Sequence, residues 1–466
     1  MHALGSPGVL ALLFVLSLPA VTTRLNASDE IQFFAWLRSA AFDRDADFEN
    51  EYQHFYDRGP VRNAGFHETF LERVNENGRR FNFTPIGTAI LWAPFYAGGH
   101  AVAWLVGAPL DGYSAPYIHG VAYASAVYGF LALLLSADIV RRVLGRGTAA
   151  VFAVWLGTPL LFYMYVAPGF SHACSAFAVA LFLWTWLRVR NTWTTSGCIQ
   201  LGLAGALVAM VREQDVLMLA APGLDFLVWL VWHRPATSLF GVAPADPRRR
   251  ARALLAAVAG VGAWALAYAP QVAAYLALNG HPGPTTYVTR KMTWTAPHLL
   301  SVLFSPEHGL FIWTPLALVA VAGLVWLVFG GTRGASRDAR WIGVLALLLI
   351  LLQAYVSGSV ESWTVAGSFG QRRFVALTPL LALGLAAFAP ERHARGGGFL
   401  RVVVVTLCIW WNLGLMAQFG LHLMDRQRLT PRENARLTFI ELPRQAPMIA
   451  WRYLTDRASL FNLPRR

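Results

Sequence analysis

Residues 83–110 read FTPIGTAILWAPFYAGGHAVAWLVGAPL, and the interpretation of this stretch decides the fold. The stretch is apolar and longer than the roughly 20 residues that a helix needs to cross a bilayer. It is interrupted, however, by Pro85, by Pro94 and by the pair Gly98-Gly99. Whether it crosses the membrane determines the side on which every later loop lies.

The distribution of arginine favours a helix that does not cross, because cytoplasmic loops of membrane proteins carry an excess of Lys and Arg. Without residues 83–110, the apolar runs predict eleven transmembrane helices, near residues 8–22, 114–137, 148–166, 170–187, 197–211, 216–232, 253–276, 310–329, 341–357, 374–390 and 402–420. With the N-terminus inside, the cytoplasmic loops then hold sixteen arginines, namely Arg141, Arg142, Arg146, Arg188, Arg190, Arg234, Arg248, Arg249, Arg250, Arg252, Arg333, Arg337, Arg340, Arg392, Arg395 and Arg401. An additional span at 83–110 would place all of them outside. We therefore expect a helix that lies at the outer face.

The composition agrees with an all-α integral membrane protein. Of the 466 residues, 56% are hydrophobic and only 14% are charged, whereas soluble domains carry about 25% charged residues. The net charge is +13, but the basic residues lie between the apolar runs, where the excess of Lys and Arg in cytoplasmic loops accounts for them. We therefore expect no nucleic-acid partner. Cys174, Cys198 and Cys408 all fall in apolar segments and show no disulfide or metal-ligand spacing.

The chain is predicted to consist of a membrane domain, residues 1–420, and a tail, residues 421–466, that lies along the outer membrane surface. The first apolar run, residues 8–21, is interpreted as a retained anchor, since its end is a poor signal-peptide cleavage site. The first outer loop covers about residues 23–113. Its polar part is too charged for hydrocarbon and too aromatic for disorder, so we expect short ordered helices there, one of them at Ile31–Phe42.

Acids, histidines and cations converge on the predicted outer face. The candidates are Asp29, Glu30, Asp47, Glu51, His172, Arg212, Lys291, His308, Arg372 and Arg373. Seven of them also have a structural interpretation. Asp29 and Glu30 could favour the start of a helix whose N-cap is Ser28, the acidic run at Asp47 and Glu51 could be a solvated helix face, and Arg212 could belong to a neutralising cluster at a tight hairpin. His172 and His308 could be ordinary packing and loop residues.

These features together resemble those of the GT-C glycosyltransferases. The resemblance rests on the acidic pair Asp29-Glu30 after the first span, on the large outer loop, and on the broken apolar helix from Pro85 to Gly99. The strings from Ser305 to Phe311 and from Trp363 to Arg372 are also similar to bacterial members. Among these, the chain most resembles lipid-carrier-dependent bacterial enzymes similar to protein O-mannosyltransferases and aminoarabinose transferases.

The resemblance implies a helical bundle whose first outer loop faces the active site. It implies a hexosyl- or pentosyltransferase that moves a sugar from a polyprenyl-phosphate donor to a lipid, glycan or protein acceptor, with inversion, at the outer face of a bacterial inner membrane. Carried over by position, Asp29 would be the base or would orient the acceptor, with Glu30 beside it. Where the family often has a further acid, at the outer end of the third span, this chain has His172 nearby.

The chemistry of such a transfer assigns roles to the remaining candidates. Arg212, Lys291, Arg372 and Arg373 are cations that would neutralise the leaving phosphate. Asp47, Glu51, His172 and His308 are weaker candidates for binding the acceptor or a divalent metal ion, the one cofactor left open. Two other classes remain as alternatives: a transporter or flippase, which tends to place ionisable groups in mid-span, and a glycan ligase or polymerase that uses similar donors.

Overall fold

The structure is a computed structural model, and it describes residues 6–145, 149–232, 247–332, 334–365, 367–388 and 398–456. Throughout these residues the chain forms helices and loops and no β-strand, apart from a single bridge between Val74 and Arg80. The prediction of an all-α protein is therefore confirmed. Five of the arginines predicted to be cytoplasmic lie outside the described residues, namely Arg146, Arg234, Arg333, Arg392 and Arg395.

The helices follow one another along the whole described chain. The first half contains α1 (Pro7–Ser17), α2 (Ser28–Arg38), α3 (Glu49–Asp57), α4 (Ala64–Phe66), α5 (Gly87–Leu105), α6 (Ala115–Leu144), α7 (Ala149–Gly157), α8 (Leu160–Tyr165), α9 (His172–Val189), α10 (Thr195–Val211) and α11 (Ala220–Trp232). The second half contains α12 (Pro247–Asn279), α13 (Thr286–Thr289), α14 (Leu299–Phe304), α15 (Leu310–Trp313), α16 (Pro315–Val328), α17 (Arg337–Ser359), α18 (Thr378–Phe388), α19 (Gly398–Gly420), α20 (Pro431–Arg436) and α21 (Leu442–Thr455). Tighter 3₁₀ turns at Glu213–Leu219 and Arg372–Leu377 lead into α11 and α18.

Six helical segments of the described chain are long and apolar enough to cross a membrane. These are Ala115–Leu144, His172–Val189, Glu213–Val231, Pro247–Asn279, Arg337–Ser359 and Gly398–Gly420. Shorter apolar helices lie at Pro7–Ala20, Thr195–Val211 and Pro315–Val328. Each of the eleven predicted spans coincides with one of these segments or with the helices α7–α8 and α18. Helix α5, which was predicted to lie at the outer face, is not among the six.

The chain divides into two compact units. The loop unit comprises Ala11–Ile139 and Tyr163–Met292, and the tail unit comprises Met1–Leu10, Val140–Phe162 and Thr293–Arg466. The loop unit contains the first outer loop and helices α9–α13. The tail unit contains helices α14–α21.

The polar part of the first outer loop is ordered around a core of aromatic rings, as the sequence predicts. Phe34 packs edge-on against Phe55, with ring centroids 5.6 Å apart, and Trp36 packs in the same manner against Phe48 at 4.8 Å. Tyr52 is fully buried next to them. These side chains come from α2 and α3 and the turn before α3, so the core holds the short helices of the loop together.

A buried ion pair joins α9 to α11 within the loop unit. Arg190 donates from Nε and Nη2 to the two carboxylate oxygens of Asp225, at 2.8 and 3.0 Å, and the indole of Trp186 donates to the same carboxylate at 3.0 Å. Both charged side chains are almost inaccessible to solvent. The two bonds from Arg190 and the third from Trp186 satisfy the hydrogen-bonding capacity of the Asp225 carboxylate. These bonds reduce the energetic cost of placing a charged side chain within an apolar span.

Three wide π turns occur in the described chain, at Ser39–Asp43, His67–Glu72 and Leu437–Glu441. Side chains five residues apart pair across these turns. Arg38–Asp43, Glu68–Arg73 and Arg436–Glu441 are ion pairs, and His67 is hydrogen-bonded to Glu72. A π turn bonds each residue to the fifth one along, so this spacing brings opposite charges into adjacent turns. In a regular α-helix the corresponding spacing is three or four residues.

Candidate functional site

The site begins at the N-terminus of α2, where Glu30 caps the helix. Its Oε2 atom accepts hydrogen bonds from the backbone N–H groups of Asn26, at 2.7 Å, and Ala27, at 3.0 Å. Ala27 is the N-cap residue, with extended backbone angles. The sequence-based alternative with Ser28 as the N-cap is therefore wrong, because Ser28 already lies within the helix. The acid in the third helical position reaches back to the cap, as in a capping box.

Glu30 is buried, and its surroundings change the pKa of its carboxyl group. The backbone of Gly169 passes so close that an added Cβ there would stand 2.9 Å from Cδ of Glu30. Burial raises the pKa of Glu30 to about 7, against the hydrogen bonds from Asn26 and Ala27, which lower it. Glu30 is thus a structural acid that joins the start of α2 to the turn that precedes α9.

Asp29 has a different environment from Glu30, although the two are adjacent in sequence. Asp29 is half-buried in the first turn of α2, whereas only 2% of Glu30 is exposed. Glu30 accepts hydrogen bonds from the two backbone N–H groups at the helix start and therefore caps the helix. Capping was the structural alternative to a chemical role for Asp29, and Glu30 fills it. A carboxylate at this position gains from the helix dipole and can accept a proton from a bound hydroxyl group.

The turn after Gly169 leads to His172, and His172 contacts Arg212. The guanidinium of Arg212 donates from Nη1 to Nδ1 of His172. The imidazole is buried between Phe170, whose ring is stacked at 5.7 Å, and Tyr163, whose ring stands edge-on at 4.4 Å. Because a guanidinium can only donate, a nitrogen of the His172 ring must accept this hydrogen bond. The structure therefore brings together two of the residues that the sequence selected.

The two acids that follow Arg212 are held by neighbouring helices. Asp215 is buried and accepts a hydrogen bond from Oγ of Ser175 at 2.5 Å, and Glu213 accepts one from the hydroxyl of Tyr275. The charge of Arg212 also acts on Asp215, as in the neutralising cluster predicted for this hairpin, while the guanidinium contacts His172. The sequence pattern did not single out Ser175, which lies three residues after His172 on the same face of α9.

The start of α5 fixes the position of this hairpin. A Cβ at Gly87 would stand 2.5 Å from the backbone nitrogen of Val211, the residue before Arg212. The N–H of Ile86 donates to Oε1 of Gln271 on α12 at 2.9 Å. Only glycine permits so close an approach of two backbones. The broken apolar stretch of residues 83–110 thereby supports Arg212.

Lys291 lies on an aromatic ring in the loop unit. Its Nζ stands 4.1 Å from the ring centroid of Tyr287, and Tyr287 stacks on Phe83 with centroids 5.4 Å apart. The same segment is tied to the first outer loop by Glu76, which accepts hydrogen bonds from Thr285 and Thr286. The bond from Thr286 is the main reason that the pKa of Glu76 is lowered.

The acidic run of the first loop contacts a cation at the end of α2 that the sequence did not single out. Glu51 is buried and accepts a hydrogen bond from Nη1 of Arg38 at 3.0 Å, and Arg38 also pairs with Asp43. Burial raises the pKa of Glu51 to about 7, against the bond from Arg38, which lowers it. Asp47 is exposed, and its Oδ1 accepts the N–H of Glu49 at 3.3 Å, at the start of α3. Both acids therefore have structural partners.

The described residues give no support for a resident metal ion. In that part of the chain, no three side chains of His, Cys, Asp or Glu are grouped so that they could hold one. Near Glu51, the guanidinium of Arg38 supplies a positive charge beside Oε1.

The remaining candidates, His308, Arg372 and Arg373, belong to the tail unit. His308 is fully buried, stacks on Trp313 with centroids 4.5 Å apart, and donates from Nε2 to the carbonyl of Ser368 at 2.9 Å. Burial lowers the pKa of His308 to about 4, so the ring is neutral at pH 7. Arg373 donates to the carbonyl of Ser362 at 3.1 Å. The two loops that resembled bacterial GT-C members are thus joined through His308 and Ser368.

Comparison with known proteins gives similarity at the level of structure alone. No family model matches the sequence, and no curated protein matches it. The structure is similar to that of the archaeal oligosaccharyltransferase AglB from Archaeoglobus fulgidus, solved with an inhibitory peptide and a dolichol-phosphate. The match has 11% identity and a TM-score of 0.46, and it covers 93% of this chain and 56% of that one. The chain spans little more than half of AglB, and the likeness assigns it no activity, substrate or partner.

Proposed function

We propose that this protein is a membrane glycosyltransferase of GT-C type that moves a sugar from a polyprenyl-phosphate donor to an acceptor at the outer face of the membrane. One observation carries the proposal: Asp29 lies at a helix start that Glu30 ties to the turn at Gly169, and this turn leads to the pair His172–Arg212. A carboxylate and a guanidinium are thereby held by one continuous set of contacts. These are the two groups that transfer from a lipid phosphate needs.

In the proposed reaction, a hydroxyl oxygen of the acceptor attacks the anomeric carbon of the donor sugar. The bond from that carbon to the phosphate oxygen breaks, and the polyprenyl phosphate leaves with the electron pair, which inverts the configuration. Asp29 takes the proton from the acceptor hydroxyl. Arg212 stabilises the negative charge on the leaving phosphate, and Lys291, Arg372 and Arg373 are further candidates for this role.

The decisive experiment measures release of free polyprenyl phosphate by mass spectrometry. The purified protein in lipid nanodiscs is offered a panel of polyprenyl-phosphate hexoses and pentoses together with an envelope extract as the source of acceptor. We expect the parent to release polyprenyl phosphate from at least one donor. Asp29→Asn should lower the rate by about 10²–10⁴, because an amide cannot take up the proton. The variant should fold and bind donor like the parent.

Two outcomes would contradict the proposal. An active Asp29→Asn enzyme would remove Asp29 from the role of base. Movement of intact donor across the bilayer, without release of polyprenyl phosphate by the parent, would instead identify a flippase. The acceptor class follows from mass spectrometry of envelope glycans and lipids in a deletion strain, in which the modified molecule should lose its sugar.

The side of the membrane is tested separately with reporter fusions. The arginine distribution predicts that fusions at Ala40, Arg290 and Ile440 report from outside the cytoplasm. Fusions at Gly145, Ala245 and Ala335 should report from inside. A cytoplasmic signal at Ala40 would place Asp29 on the wrong side for an outer-face reaction.

A further inference from the structure

The chain after α19 is attached to that span by a buried polar cluster. Gln418 on α19 donates from Nε2 to Oγ1 of Thr438, at 2.8 Å, and to the carbonyl of Asn434, at 3.2 Å. Asn434 in turn donates from Nδ2 to Oε1 of Gln418 at 2.8 Å. All three side chains are buried. Their donors and acceptors satisfy one another, so this part of the tail is a packed element of the tail unit.

The contacts also show where the tail meets α19. Thr438 accepts from Gln418 through Oγ1, and its carbonyl accepts from the indole of Trp410, eight residues earlier on α19, at 3.1 Å. The tail helix therefore crosses α19 in the C-terminal half of that helix. The tail is thus packed beside the part of α19 that we assign to the membrane.

Helix α21 continues directly from this packed segment, and most of its side chains are exposed. Pro443, Ala446, Pro447 and Trp451 are exposed apolar residues at the spacing of one helical face, and Trp451 is 68% exposed. The opposite side carries Arg444, Gln445, Arg452 and Thr455, together with the exposed Met448. Helix α21 holds two arginines and no acid. A helix with an apolar face and a basic polar face is typical of segments that lie in a membrane interface.

We propose that α21 lies on the surface of an anionic bilayer, with Trp451 inserted between lipids and with Arg444 and Arg452 at the phosphates of the headgroups. Continuity with a segment packed along a membrane span places α21 at the bilayer, and its positive charge matches anionic lipid. Trp is favoured at this depth because its ring is amphipathic. The inference extends the sequence-based prediction for residues 421–466, of which 457–466 lie outside the described residues. It does not depend on the proposed enzymatic activity.

Binding of α21 to lipid would also support the loop that contains His308. The N–H of Leu429, in the connection between α19 and α20, donates to the carbonyl of Pro306 at 3.1 Å. Pro306 also accepts from the indole of Trp313, which stacks on His308. The connection is held by α19 at one end and by the tail helix at the other. A membrane-bound α21 therefore restrains one wall of the His308 loop.

The test uses the full-length protein and a water-soluble maleimide. Single cysteines are introduced as Trp451→Cys and, on the opposite side of the helix, Gln445→Cys, in a background with Cys174→Ala, Cys198→Ala and Cys408→Ala. In nanodiscs of phosphatidylcholine and phosphatidylglycerol at a ratio of about 3:1, we expect Trp451→Cys to react about tenfold more slowly than Gln445→Cys. The difference should shrink in pure phosphatidylcholine, and it should shrink when Arg444→Gln and Arg452→Gln are added.

The outcomes separate the lipid surface from other occupants. Equal rates at the two positions in the anionic nanodiscs overturn the proposal. Protection of position 451 that ignores lipid charge and survives loss of both arginines also overturns it. Protection that appears only in nanodiscs with two copies of the protein identifies a second chain as the occupant. Amide exchange of residues 443–455 in the unmodified protein, which should be slower in anionic nanodiscs, gives a measurement that no substitution can disturb.

Discussion

Arg212 donates a hydrogen bond from its guanidinium to Nδ1 of His172, although the two residues are 40 positions apart in the sequence. The contact joins the end of α10 to the start of α9. It orients a cation that would otherwise be free to adopt many rotamers. Arg212 can therefore meet an anionic group at a smaller entropic cost than a flexible surface arginine would incur.

The first prediction concerns binding of the donor phosphate. A charge-assisted contact is worth about 1.5–3 kcal/mol, so Arg212→Ala should weaken donor binding about tenfold to a hundredfold. Arg212→Lys should recover part of this loss, because lysine keeps the charge without the planar fork. Lys291→Ala and Arg372→Ala are expected to show similar losses. Binding is measured by the quenching of protein fluorescence by a donor analogue.

The matched control is Arg62→Ala, since Arg62 is an exposed cation of the first loop. Its replacement should leave donor affinity unchanged. If Arg212→Ala, Lys291→Ala and Arg372→Ala all bind donor like the parent, the phosphate is held elsewhere.

The second prediction concerns stability as a function of pH. Burial raises the pKa of Glu30 from an ordinary value of 4.5 to about 7, so the folded state holds its proton more tightly than the unfolded state. The resulting stabilisation is fully present below pH 4.5 and is lost as the pH rises towards 7. It amounts to about 3 kcal/mol at most. Glu30→Gln should remove this loss, because the amide oxygen can accept the same two N–H groups without a charge.

The measurement compares unfolding midpoints of the parent and Glu30→Gln at pH 5, 6, 7 and 8. The difference between the two proteins is informative, because Glu51 titrates in the same direction and His308, whose pKa is lowered to about 4, titrates in the opposite one. The variant should gain on the parent as the pH rises. A difference that is constant with pH would contradict the assignment of Glu30 as a buried, proton-binding cap.

The third prediction concerns the ion pair Arg190–Asp225. Asp225→Ala would leave a buried guanidinium without its carboxylate and should cost about 3–5 kcal/mol. The double variant Arg190→Met, Asp225→Leu should be closer to the parent than Asp225→Ala, since no uncompensated charge remains. Stability is measured by unfolding in detergent mixtures. Asp57→Ala, which removes an exposed acid, is the control and should change stability by less than about 0.5 kcal/mol. A double variant less stable than Asp225→Ala would mean that the pair itself is strongly stabilising.

The fourth prediction compares two glycines of α5. Gly87→Ala would force a Cβ against the backbone of Val211, whereas a Cβ at Gly98 would meet nothing within 4 Å. We expect Gly87→Ala to destabilise the protein by about 1–3 kcal/mol and to weaken donor binding through displacement of Arg212. Gly98→Ala should be neutral or stabilising, by up to about 1 kcal/mol. Similar behaviour of the two variants would show that the start of α5 does not position Arg212.

The sequence predicts the helices well and their partners poorly, for physical reasons. Hydropathy over about 20 residues is a local property, so the spans could be located from the sequence. The different roles of Asp29 and Glu30 could not be predicted from the sequence, because the cap depends on the backbone at Ala27 and on burial of Glu30 by Gly169. The partner of Glu51 is Arg38, 13 residues away, across a π turn that no apolar periodicity indicates. The convergence of His172 with Arg212 depends on the packing of α9 and α10.

The π turn at Leu437–Glu441 acts as a phase shift between two faces of one helix. Asn434 and Thr438 face α19, and at 3.6 residues per turn a regular helix would next turn Gln445 and Arg452 towards that span. One additional residue in the turn rotates everything beyond it by about 100°, which brings Leu442, a buried side chain, onto the inner face instead. Removal of one residue from the turn would therefore exchange the side that meets protein for the side that carries charge, without changing any other amino acid.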